Sequence, residues 1–94
     1  MKKTLLFILL TSPLLFAQTK KQVIDDIQKR QPEYSSMAMD IWNFAEVGYQ
    51  EYKSSELLQN TLKKEGFTVT AGVADIPTAF VATFGSGKPV IGIL

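Results

Sequence analysis

The chain has 94 residues, enough for one domain at most, and its ten basic and nine acidic side chains nearly cancel. Such a balance provides no electrostatic footprint for nucleic acid or an anionic lipid surface. There is no cysteine and no histidine. This excludes a disulfide framework, a Ser-His-Asp triad and the usual zinc ligand sets within these residues.

Met1-Lys2-Lys3 is a short positive segment, followed by an apolar stretch from Thr4 to Phe16 that contains Ser12 and Pro13. Ala17 then offers a small residue for cleavage. That three-part order predicts a signal peptide over residues 1–17 and an exported protein. The stretch is too short for a stable membrane span, which needs about 20 apolar residues. A core helix is the plainer alternative, but Leu5 to Leu10 would leave it no solvent face. Removal of residues 1–17 would leave 77 residues with a net charge of −1. An exported domain of that size without disulfides or metal would be marginally stable.

Thr19 to about Ala45 predicts helix. Val23, Ile24, Ile27, Tyr34, Met37, Ala38, Ile41, Trp42 and Ala45 recur at steps of three and four, and Asp25, Asp26, Lys29, Arg30 and Asp40 fill the other side. Pro32 implies either a kink or the meeting of two helices, since proline lacks an amide donor and crowds the preceding turn. The more apolar half, Tyr34 to Phe44, is expected to be the better buried. Gly48 is the expected helix stop.

A second helix is expected from Lys53 or Ser54 to Glu65, with Ser54 or Ser55 capping it, Leu57, Leu58, Thr61 and Leu62 as its buried stripe, and Gly66 as its end. Phe67 to Thr70 alternates and predicts a half-buried strand; Ala71 to Pro77 is a loop, and Thr78 to Phe84 a second strand. Gly85-Ser86-Gly87-Lys88-Pro89 is expected to be a turn joining antiparallel strands. Val90 to Leu94, apolar without alternation, is expected to be a third strand covered on both faces. Two helices and three strands cannot cover such a sheet, so residues 18–94 are expected to be the start of a larger α/β domain.

Few residues invite a chemical reading. Gly85-Ser86-Gly87-Lys88 resembles a phosphate loop, but Ala82 stands where the first glycine should be and Pro89 where a Ser or Thr should ligate magnesium. A turn is the better reading. Glu46, Glu51 and Asp75 lack a metal-ligand spacing, and nothing resembles a calcium loop. Trp42, Phe44, Tyr49 and Tyr52 are expected in a core rather than on a ligand platform. Glu46 and Glu51 flank Gly48 among aromatics, where a purely solvated charge has little use; they are expected to cap helix amides or to pair with a base.

The stretch from Ile41 to Leu94 resembles the N-terminal part of the zinc-dependent amidohydrolase and carboxypeptidase family, which includes aminoacylases and aminobenzoyl-glutamate hydrolases. Ala45-Glu46-Val47-Gly48-Tyr49-Gln50-Glu51 takes the place of that family's entry motif, with Ala45 for the commoner proline. With Ile76-Pro77-Thr78-Ala79-Phe80-Val81-Ala82, the run looks most like the aminobenzoyl-glutamate hydrolase branch.

The resemblance implies an α/β/α catalytic domain, an inserted lid domain that commonly makes a homodimer, and a small-molecule amide or peptide substrate. It also implies a site of zinc or another divalent metal with a Glu as general base. The family's ligands begin after the segment matching Val90 to Leu94, so no catalytic, cofactor-binding or metal residue is carried over onto this sequence. Glu46 and Glu51 match the entry motif and are read as structural. The competing expectation is a non-catalytic product: a truncated form or a small exported binding module.

Overall fold

A computed structural model describes residues 19–94. The expected signal peptide, residues 1–17, lies outside them, as does Gln18. The chain divides into two units, residues 1–30 and residues 31–94.

Helix α1 spans Lys20–Phe44 and takes in Pro32 as one element, so the alternative of two separate helices does not hold. It starts with a reciprocal cap. The Thr19 amide donates to Gln22 Oε1 at 2.7 Å, and the Gln22 amide donates to Thr19 Oγ1 at 3.3 Å. This is the Thr-x-x-Gln form of the capping box, which occupies amides that the first turn leaves without partners. Lys21 pairs with Asp25 at 2.6 Å and Lys29 with Asp26 at 3.6 Å, both exposed and one helical turn apart. Pro32 denies the Gln28 carbonyl its usual donor.

The link after α1 corrects one expectation. The helix ends before Gly48, and the residue that turns left-handed is Ala45, at φ 50°. Tyr49 is left-handed as well, at φ 64°, while Gly48 is not.

Helix α2 spans Tyr52–Lys64. Its C-terminus is built as expected around Gly66, at φ 91°. The Gly66 amide donates to the Lys63 carbonyl at 3.1 Å and the Phe67 amide to the Leu62 carbonyl at 3.0 Å. Those two bonds are the Schellman pattern, which needs a left-handed residue that glycine adopts without cost. Lys63 and Lys64 in the last turn complement the negative end of the helix dipole.

Strands β1 (Thr68–Ala71) and β2 (Phe80–Thr83) pair antiparallel, with Val69 opposite Ala82 and Ala71 opposite Phe80. These two pairs share one side of the ribbon, and Val69, Phe80 and Ala82 are half-buried there. Helix α2 packs on both strands, and its half-buried residues are Ser54, Leu57, Leu58, Gln59, Thr61 and Leu62. The Phe67 and Phe84 rings flank the ribbon with centroids 5.2 Å apart. The connection between the strands is longer than a tight hairpin. It contains a 3-10 turn at Val73–Asp75 and closes where the Gly72 amide meets the Ala79 carbonyl at 2.8 Å.

Three further expectations fail. Gly85 to Pro89 does not join two strands, because the sheet has two strands only and Val90 to Leu94 pairs with nothing among the described residues. A strand is a ladder of hydrogen bonds to a neighbour, and an apolar run alone does not make one. The second half of α1 is the better buried one, as expected, with Met37, Ile41 and Phe44 half-buried against Asp25 alone in residues 20–30, but it is not a buried face. The junction aromatics are not a core either, with Trp42 79% and Tyr49 74% exposed. Among the described residues no hydrophobic side chain is fully buried. Among the described residues the coarse architecture is therefore α/β, with two helices and one antiparallel pair and without the expected third strand.

Candidate functional site

The most organised polar cluster joins the α1–α2 link, the start of α2 and the turn before β2. At its centre is Glu46. Its Oε1 accepts the Lys53 amide at 2.8 Å, and its Oε2 accepts the Ser54 amide at 2.9 Å and the Ser54 hydroxyl at 2.8 Å. Glu51 is the N-cap residue by position, but its side chain makes no cap. Nor do Ser54 or Ser55 cap the helix, contrary to expectation. The cap comes from outside the helix.

A carboxylate at a helix N-terminus gains from both the free amides and the positive end of the dipole. Partial desolvation pushes the Glu46 pKa up. The Lys53 and Ser54 amides, the Ser54 hydroxyl and the Lys53 charge act the other way and together hold it below the ordinary carboxylate value. Lys53 also lies over the Phe44 ring, its Nζ 5.9 Å from the centroid.

A second chain of bonds continues into the sheet. Ser55, 7% exposed, is the one buried residue among those described. Its hydroxyl donates to the Thr78 carbonyl at 2.6 Å and accepts from Gln59 Nε2 at 2.9 Å. The Thr78 hydroxyl donates to Glu51 Oε2 at 3.3 Å. The cluster thus braces α2 at its N-terminus through Glu46 and against the β1–β2 connection through Ser55.

Chemically the cluster is occupied. Both Glu46 oxygens are committed to hydrogen bonds, a poor arrangement for a metal ligand or a general base. The shallow cleft beside it, about 280 Å³, lies between Tyr52, Gln59 and Lys63 of α2 and Pro77–Thr78. Its buried hydroxyl, Ser55, already has a donor and an acceptor, and no buried polar side-chain atom among the described residues lacks a partner. Glu46, Glu51 and Asp75 form no group with a metal-binding arrangement among the described residues. No helix begins after Gly85-Ser86-Gly87-Lys88, so no helix dipole stands behind it to receive a phosphate.

Of the two roles expected for the glutamates, capping is the one that Glu46 adopts. Glu51 serves instead as an acceptor for Thr78. The Ser55–Thr78 bond carries no local signal, since its partners are 23 residues apart. The Thr19–Gln22 capping box does carry one, a four-residue Thr-x-x-Gln pattern, and it is absent from the expectations above. No described helix is long and apolar enough to cross a membrane.

Comparison with known proteins places these residues. The chain is 46% identical over 72 residues to one subunit of the p-aminobenzoyl-glutamate hydrolase of Escherichia coli strain K12, a match covering 76% of this chain. It spans about 15% of the length of that relative. No family model matches the chain, and no solved structure matches it. By its sequence the chain is close to the p-aminobenzoyl-glutamate hydrolase branch of the amidohydrolases.

Proposed function

We propose that these residues are the N-terminal part of an exported, metal-dependent amidohydrolase that cleaves an amide bond of an acyl- or aminoacyl-type small molecule. The observation that carries the proposal is the 46% identity to the hydrolase subunit over 72 residues. The polar cluster supports it from a second side: Glu46, Ser54, Ser55 and Thr78 spend their hydrogen-bonding capacity on holding α2 and the strand pair. In this reading residues 1–17 direct export, residues 18–94 frame the catalytic domain, and the complete protein is a homodimer.

The donors present here do not suit a zinc or similar divalent ion. The chain has no histidine or cysteine, and Glu46 is already occupied by α2. Any metal would be held by residues outside this stretch, and no step of the chemistry is assigned to residues within it.

The test is a chimera in which the 72 matched residues replace their counterparts in the Escherichia coli hydrolase subunit. It is expected to hydrolyse p-aminobenzoyl-glutamate, the compound in that relative's name, while the 94-residue chain alone releases no p-aminobenzoate. A chimera that folds and assembles like its parent yet is inactive would overturn the proposal in favour of a non-catalytic product.

A further inference from the structure

We draw no further inference here: the strongest candidate, the exposed apolar surface that Trp42, Val47, Tyr49 and Tyr52 present around the α1–α2 junction, is an unpartnered face, and nothing in the structure shows what covers it.

Discussion

The Ser55 hydroxyl and the Thr78 carbonyl are joined by a 2.6 Å hydrogen bond across 23 residues of sequence. It ties the first turn of α2 to the residue two positions before β2. Removing the hydroxyl would leave a carbonyl without its donor in the most enclosed spot of the described structure. Ser55→Ala is therefore expected to destabilise the element pair by about 1–2 kcal/mol. Amide exchange across β2 in the hydrolase chimera should accelerate correspondingly, and unchanged exchange would show that the bond is incidental.

The second prediction concerns acid. A carboxylate whose folded pKa is depressed contributes stability that is fully present above its unfolded pKa and is lost as pH falls through the folded one. For Glu46 that loss begins near its ordinary value of 4.5 and continues below it. In the chimera, the amides of Lys53 and Ser54 should lose exchange protection through that window, after correction for intrinsic rates. Glu46→Gln keeps an acceptor but not the charge, and should flatten the dependence; a variant as pH-sensitive as the parent would assign the effect elsewhere.

Export is expected from the basic start and the apolar stretch to Phe16. When the gene is expressed in a bacterial host, the processed protein should appear outside the cytoplasm with an N-terminus near Gln18. Peptide mass spectrometry that finds only intact Met1, in the cytoplasm, would rule out cleavage there.

Residues 18–94 should not bind zinc tightly, because they offer no histidine or cysteine and Glu46 is held by α2 amides. Titration calorimetry is expected to show no sub-micromolar site. A stoichiometric tight site would require a carboxylate cluster that the described residues do not form.

Produced alone, residues 18–94 are expected to self-associate or to remain molten. Ile91 is 82% exposed and Ile93 94%, in a segment without strand pairing. An unpaired apolar segment of this kind is a site for association between chains. Sedimentation and amide spectra decide the matter. A monomer with dispersed, sharp signals and a cooperative melt would show that the piece is a domain in its own right.

The elements legible in the sequence are those whose causes are local. The stripe of Leu57, Leu58, Thr61 and Leu62 and the stop at Gly66 arise from a helical period and a single backbone requirement; the stop appears as expected, and the stripe appears as a half-buried face rather than a buried one. The alternation of Phe67 to Thr70 likewise becomes β1, shifted by one residue. What escapes depends on partners. Val90 to Leu94 has strand-like composition and no neighbour among the described residues. Trp42 has the apolar character of a core residue, but no described element covers it. Gly48 has the composition of a helix stop because glycine is the easiest left-handed residue, yet Ala45 and Tyr49 take those dihedrals instead. The candidate site divides the same way: a capping role for Glu46 is foreseeable, its target amides seven and eight residues ahead are not.

The remote cap on α2 also bears on the order in which this region can form. A helix capped by its own preceding residue carries its start signal with it, and a short peptide retains that signal. Helix α2 does not: the Glu51 side chain makes no cap, and Glu46 reaches the amides only after the backbone between them has turned through left-handed Tyr49. The first turn of α2 is thus contingent on the link being shaped beforehand or at the same moment.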